Sequence, residues 1–239
     1  MEHDSEKSSF VVSPERCKVI ACATVIDELL AHMPPGMTYE VLDFGLHNDP
    51  DALRETLQHY IDSTESGIRT ILLGYGLCSQ AVVGLRSHDF TLVIPRVDDC
   101  IAIFLGSSAA YQEQCRSVPG TYYLTRGWIE AGYSPFNEYD FLVEQYGEKK
   151  ARHIIGKMLK NYKRLAFINT GNHRLEHYRA LSRTMAEKFD LRFEEVQGSD
   201  EMIKKFFYGP WDDGFVIIMP GRTVSFMDFR VDAAPLPGR

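Results

Sequence analysis

The sequence lacks long hydrophobic runs and has no excess of basic residues. Its apolar segments are too short for a helix that crosses a bilayer, which needs about 20 consecutive apolar residues, so we expect no membrane association. Acidic residues outnumber basic ones, 33 to 26, and the formal net charge is −7. Because no stretch forms a basic stripe, the composition argues against a nucleic-acid partner.

Cysteine is scarce, with five residues in 239. Residues 1–9 are polar and charged and lack the apolar core of a secretory signal, so we expect a cytoplasmic protein that begins with a flexible tail. Disulfides do not persist in a reducing compartment. The odd number of cysteines therefore points to metal binding or catalysis rather than to a disulfide framework.

Short hydrophobic runs typical of strands alternate with segments of helical spacing. This alternation predicts an α/β fold with a parallel sheet and helices on both faces. The two halves have a similar order of elements, which predicts two α/β lobes with a cleft between them, a common place for ligands. The predicted strands cover residues 18–21, 39–44, 70–74, 91–94, 164–168, 191–196 and 215–219.

We expect four segments along the chain. Residues 1–16 form the flexible N-terminal tail, and residues 17–115 form a first α/β lobe that carries the cysteines. Residues 116–163 form an insertion rich in glycine and aromatic residues, with a short strand at 121–125 and a helical stretch at 138–159; such loops often act as lids. Residues 164–239 form a second lobe and the C-terminal tail. Weaker patterns predict a helix at 79–85 and a strand at 224–229.

Three cysteines follow predicted strands at equivalent places. They are Cys22, Cys78 and Cys100. Because the carboxyl ends of parallel strands form one edge where ligands bind, the three thiols are expected to converge there. Thiolates favour zinc or an iron–sulfur cluster, and three protein ligands with one open position are typical of catalytic zinc. The chain has no C-x-x-C and no H-E-x-x-H, so only the topology supports this site. We interpret Cys17 and Cys115 as structural.

Cys78 has a second interpretation that needs no metal. It ends the run Gly-Tyr-Gly-Leu-Cys at 74–78, which predicts a sharp turn from a strand into a helix. A thiol at the start of a helix has a lowered pKa, and the turn is similar to a nucleophile elbow with cysteine in place of serine. Cys78 would then be a nucleophile with His173 or His88 as its base. The ordinary alternative is a tight turn with a buried thiol.

Acid–base candidates lie close to the predicted strand ends. Asp98 and Asp99 directly precede Cys100, and His173 follows the strand at 164–168. Carboxylates at these positions act as acids, bases or ligands in a functional site. The structural alternative is that the two aspartates cap the following helix.

Five further residues are candidates for binding a substrate. Arg96 and Arg222 follow predicted strands and suit an anion. Asn169 opens a loop whose backbone N–H groups suit a phosphate or a carboxylate. Trp128 and Tyr123 lie in the aromatic insertion and suit a pocket wall, although aromatic residues more often serve packing.

Three segments together resemble a known family. They are 74–78, 95–101 and 120–128, the last reading Gly-Thr-Tyr-Tyr-Leu-Thr-Arg-Gly-Trp. They are similar to the bacterial and archaeal family called domain of unknown function 1638, and the resemblance covers roughly residues 18–219. The family carries no established activity. Its association with gene neighbourhoods of corrinoid-dependent methyl transfer implies zinc–thiolate or corrinoid chemistry, yet the chain has no D-x-H-x-x-G corrinoid-binding motif.

These observations lead to three hypotheses. The first is a protein that binds zinc or an iron–sulfur cluster through the three cysteines and acts on a small molecule, as a metal-dependent transferase, hydrolase or lyase. The second is a metal-free enzyme with Cys78 as nucleophile. The third, implied by the resemblance, is a non-enzymatic ligand-binding or accessory protein of methyl transfer.

Overall fold

Strands and helices alternate along most of the chain in the computed structural model, which describes residues 13–77, 80–132, 134–171 and 174–230. The strands in these ranges are β1 (Cys17–Cys22), β2 (Thr38–Leu42), β3 (Thr70–Gly74), β4 (Thr91–Pro95), β5 (Thr121–Leu124), β6 (Arg164–Asn169), β7 (Arg192–Gln197) and β8 (Phe215–Ile218). The helices are α1 (Ala23–Leu30), α2 (Pro50–Asp62), α3 (Ile101–Leu105), α4 (Ser108–Ser117), α5 (Arg126–Ala131), α6 (Pro135–Tyr146), α7 (Glu148–Met158), α8 (Leu175–Lys188) and α9 (Glu201–Tyr208).

The main sheet has five strands in the order β2-β1-β3-β4-β8. The first four are parallel, whereas β8 runs antiparallel to β4 and pairs Phe215 with Pro95 and Ile218 with Leu92. β1 is buried along its whole length, as expected for a strand covered on both faces. The α/β class with a mainly parallel sheet is therefore confirmed, and the antiparallel edge strand is a departure from the prediction.

A second, smaller sheet has the order β5-β6-β7 and is entirely parallel. Separate hydrophobic clusters surround the two sheets, and Trp128 packs against both clusters. Strand pairing crosses the expected segment boundaries. β8 lies in the segment assigned to the second lobe but pairs within the main sheet, and β5 of the insertion pairs with β6.

One local prediction was refined and two were wrong. The stretch predicted at 138–159 is helical but consists of two helices, α6 and α7, separated at Gly147, whose φ of +78° favours glycine. Where a helix was predicted at 79–85, the described residues 80–85 form turns, with positive φ at Gln80 and Gly84. The predicted strand at 224–229 contains the 3₁₀ turn Phe226–Phe229, because Ser225 and Asp228 form a capping box.

The described helices are short. The longest, α8, has 14 residues, and none of the helices within the described ranges is long and apolar enough to cross a bilayer.

Candidate functional site

The carboxyl ends of β1, β3 and β4 lie side by side at one edge of the main sheet. We call these strand ends the rim, together with the start of α1, which directly follows β1, and the segments that follow β3 and β4. β3 lies between β1 and β4, and Ala21 pairs with Gly74, so Cys22 is level with Tyr75 at this edge. The backbone N–H of Leu77 donates to the carbonyl of Val97 at 2.7 Å, so the loops after β3 and β4 are in direct contact.

Two glycines allow this close approach. A Cβ atom at Gly74 would lie 2.7 Å from Cβ of Ala21, and one at Gly76 would lie 2.6 Å from Cγ2 of Val97. The run at 74–78 therefore needs its glycines because neighbouring strands and loops pack directly against the backbone.

Two of the three predicted cysteine ligands lie at the rim. Cys22 ends β1, is 2% exposed, and its Sγ lies 3.3 Å from Oγ1 of Thr24. Cys100 precedes α3, is 7% exposed, and its Sγ donates to Oδ1 of Asp99 at 3.5 Å. Cys78 lies outside the described residues. Within the described parts of the chain, no group of three or more His, Cys, Asp or Glu side chains is arranged to hold a metal ion, so the three-cysteine site stays a prediction.

The other cysteines differ from these two in position. Cys17 starts β1, at the opposite edge of the sheet, and burial raises the pKa of its thiol to about 11. Cys115 lies on α4 and is exposed.

His47 belongs to the same edge of the sheet, although no motif in the sequence marks it. It lies in the 3₁₀ turn Phe44–Asn48 that follows β2. Its ring stacks on Phe44, with centroids 4.8 Å apart, and on Tyr75, with centroids 6.1 Å apart. Nδ1 lies 3.1 Å from the carbonyl oxygen of Phe44. Because that oxygen can only accept, Nδ1 carries the hydrogen and Nε2 keeps its lone pair.

The ionisation of His47 follows from its surroundings. Burial lowers the pKa of the imidazole, while the hydrogen bond with the carbonyl of Phe44 and, after it, the negative charge of Asp99 act in the opposite direction. The result is a neutral ring near the rim, in the form that accepts a proton or binds a metal.

A cavity of about 460 Å³ lies beside the rim. It is bounded by the segment after β4, by α4 and by the edge strand β5. Its lining is rich in aromatic side chains, and we call it the aromatic cavity. The described lining residues are Asp99, Ile101, Tyr111, Cys115, Val118, Pro119, Gly120, Thr121, Tyr122, Tyr123, Trp128 and Tyr162.

Trp128 is held in this wall by α5, which packs closely on α1. Its ring packs edge-on against Phe104, with centroids 5.7 Å apart. Oγ1 of Thr125 caps α5 by accepting from the N–H of Trp128 at 3.4 Å, and Arg126 pairs with Asp27 of α1 at 3.2 Å. The cavity thus brings together three predicted site residues, Asp99, Tyr123 and Trp128.

Two other predicted residues near the rim, Asp98 and Arg96, do not line the aromatic cavity. Asp98 is exposed. Arg96 donates to the carbonyl oxygens of Phe215 and Arg230, both at 3.1 Å. Its guanidinium therefore links Arg230, at the end of the described chain, to the first residue of β8.

The remaining predicted residues are not brought to the rim. Asn169 ends β6 in the small sheet, where its amide donates to Oε1 of Glu195 at 2.8 Å. Arg222 follows β8, and because β8 is antiparallel it lies at the opposite edge of the main sheet. His88 precedes β4 and pairs with Asp62 at 3.0 Å, also at that opposite edge. His173 lies outside the described residues.

The fold and the rim together define an α/β protein with a ligand-sized cavity beside the carboxyl edge of its main sheet. The chain belongs to the DUF1638 family, proteins of unknown function, whose family model matches residues 41–207. The matched span begins after Cys22 and includes Cys78 and Cys100. No curated protein and no solved structure matches the chain.

Proposed function

We propose that the protein binds a thiophilic metal, zinc or the iron of an iron–sulfur cluster, through Cys22, Cys78 and Cys100, and uses it to activate a small molecule. The observation that carries the proposal is the strand order. β3 lies between β1 and β4, so the carboxyl ends of the three strands that end at or before these cysteines in the sequence are neighbours at one edge.

A metal ion would offset the cost of ionising the two described thiols. Cys22 and Cys100 are nearly inaccessible to solvent, and a buried thiolate is stable only when a positive charge compensates it. A bound metal ion supplies that charge. Three thiolates leave one position open for water or substrate, and the metal then acts as a Lewis acid.

His47 and Asp99 are the acid–base groups we assign to this site. His47 is neutral and has its Nε2 lone pair available, and Asp99 lines the aromatic cavity next to Cys100. His47 and Asp99 take the acid–base role for which the exposed Asp98 was a candidate. A metal bound near a neutral base and a carboxylate would suit a transfer, hydrolysis or elimination reaction.

Metal analysis of the anaerobically purified full-length protein tests the proposal. We expect about one zinc ion, or one cluster, per chain in the wild type, and its loss in Cys22→Ala, Cys78→Ala and Cys100→Ala. Cys17→Ala is the matched control, since Cys17 is as buried as Cys22, at 1% and 2% exposure, and lies on the same strand.

Two results would refute the metal site. One is a wild-type protein without metal in which all three thiols react freely with an alkylating agent. The other is equal metal content in Cys17→Ala and in the Cys22→Ala, Cys78→Ala and Cys100→Ala variants. Circular dichroism and thermal unfolding of each variant show whether a loss of metal reflects the ligand or the fold.

A further inference from the structure

The aromatic cavity has an unusual combination of side chains. Five rings line it together with one carboxylate, that of Asp99, and none of the described lining residues is Lys, Arg or His. The faces of aromatic rings attract cations through their quadrupole. The five aromatic residues are Tyr111, Tyr122, Tyr123, Trp128 and Tyr162.

We propose that the aromatic cavity binds a small organic cation, a quaternary ammonium or a protonated amine, with Asp99 as its counter-ion. The volume of about 460 Å³ suits a small ligand. This inference names the substrate class of the proposed function. The role of the cation as substrate rests on that proposed function, whereas its binding rests on the cavity alone.

Asp99 has an oxygen available for such a ligand. Oδ1 accepts from the N–H of Ile101 at 2.9 Å and from Sγ of Cys100 at 3.5 Å. Oδ2 accepts no hydrogen bond from the described residues. Since Asp99 lines the cavity and also contacts Cys100, a cation bound there would lie next to the rim.

The electrostatics of the wall disfavour an anion. Burial raises the pKa of Tyr111, and the negative charge of Asp99 raises it further. Additional negative charge in this wall is therefore unfavourable. A positive side chain, that of Arg164, does lie nearby and interacts with Thr121 and Tyr123 of the lining. The Arg164 guanidinium donates to Oγ1 of Thr121 at 2.8 Å, but its charge is paired with Glu194 at 3.1 Å.

Calorimetric titration of the full-length protein with choline tests the inference, with 3,3-dimethylbutan-1-ol as a neutral probe of the same shape. We expect choline to bind about tenfold or more tightly than the neutral alcohol. Asp99→Asn should remove most of this preference, while Asp98→Asn, which deletes the same charge one residue away on an exposed side chain, should preserve it. Equal affinity for the two probes, or equal losses in the two variants, would overturn the inference.

A second pair of variants covers the case in which Asp99→Asn does not fold. Tyr111→Phe keeps the ring and should keep the affinity for choline, whereas Tyr111→Leu should weaken it about tenfold. Equal affinities in the two would also overturn the inference.

Each titration is made on metal-loaded and on chelator-treated protein, so that failure of the cation site can be distinguished from failure of the metal site. Metal-loaded protein that does not prefer choline overturns the cation site and leaves the metal site standing. A choline preference that depends on Asp99, in protein that never carries metal, supports the cation site and refutes the proposed function.

Discussion

Replacement of Gly127 by alanine tests the packing that positions the wall of the aromatic cavity. Gly127 lies in α5, and a Cβ atom there would lie 2.2 Å from the carbonyl oxygen of Thr24 and 2.9 Å from its carbonyl carbon. Both atoms belong to the backbone at the start of α1, so no side chain can rotate away. To restore even 3.0 Å of separation, α5 and α1 must separate by about 0.8 Å, and any movement of α5 displaces Trp128.

The expected cost follows from two opposing terms. Overpacking of a buried contact costs about 1–3 kcal/mol, and the higher helix propensity of alanine returns up to about 1 kcal/mol. We expect Gly127→Ala to lower the free energy of unfolding by about 1–2 kcal/mol. Because a shift of α5 displaces Trp128, choline affinity should fall as well.

Gly156→Ala is the matched control. Gly156 is an exposed residue inside α7, and a Cβ atom there would have nothing within 4 Å. The same substitution should raise the free energy of unfolding by about 0.5–1 kcal/mol. Urea denaturation, monitored by circular dichroism, measures both variants. If Gly127→Ala and Gly156→Ala change the free energy of unfolding in the same direction, the result contradicts the close approach of α5 to α1.

Three further predictions concern single side chains. Arg164→Met should lower the free energy of unfolding, measured by urea denaturation, by about 3 kcal/mol, because this guanidinium is 1% exposed. Arg192→Met removes a 62% exposed partner of the same Glu194 and should lower it by under about 1 kcal/mol. Equal losses in the two variants would refute the buried network. The pKa of His47, followed by NMR, should lie below its ordinary value. The unfolded chain then binds the proton more readily, so the free energy of unfolding falls as the pH drops through about 6.5. An ordinary or raised pKa would contradict the burial of this ring. Iodoacetamide should label the exposed Cys115 in the folded protein but react with Cys17, whose pKa is about 11, only after unfolding. Similar labelling rates of Cys17 and Cys115 in the folded protein would contradict the buried position of Cys17.

The sequence predicted the elements whose signals are local. α2 begins where Asp49 accepts from the N–H of Ala52 at 3.0 Å, with Pro50 in the first position, and both residues are visible as helix-start signals. The hydrophobic runs of β1, β3 and β4 are continuous because these strands are buried. In these segments, local propensity and burial agree.

Pairing direction could not be predicted in the same way. The run at 215–219 looks like the other strands, but it pairs antiparallel with β4, and only contacts between distant segments determine this. The consequence is large for Arg222, since reversing the strand moves this residue to the opposite edge of the sheet.

The candidate site was predicted in part. The rule that ligands gather at the carboxyl edge of parallel strands identified Cys22, Cys100 and Asp99, and the structure places these three residues at the rim. His47 was missed because it lies in a 3₁₀ turn without a recognisable motif. Its relevance comes from stacking on Phe44 and Tyr75, which is a tertiary contact.

X-ray absorption at the metal edge tests the central claim most directly. In the metal-loaded, full-length protein the account predicts a first shell of about three sulfur atoms near 2.3 Å, with about one sulfur fewer in Cys22→Ala and in Cys100→Ala and an unchanged shell in Cys17→Ala. A first shell of only oxygen and nitrogen atoms, or a shell that the two rim substitutions leave unchanged, would contradict a metal held by the rim cysteines.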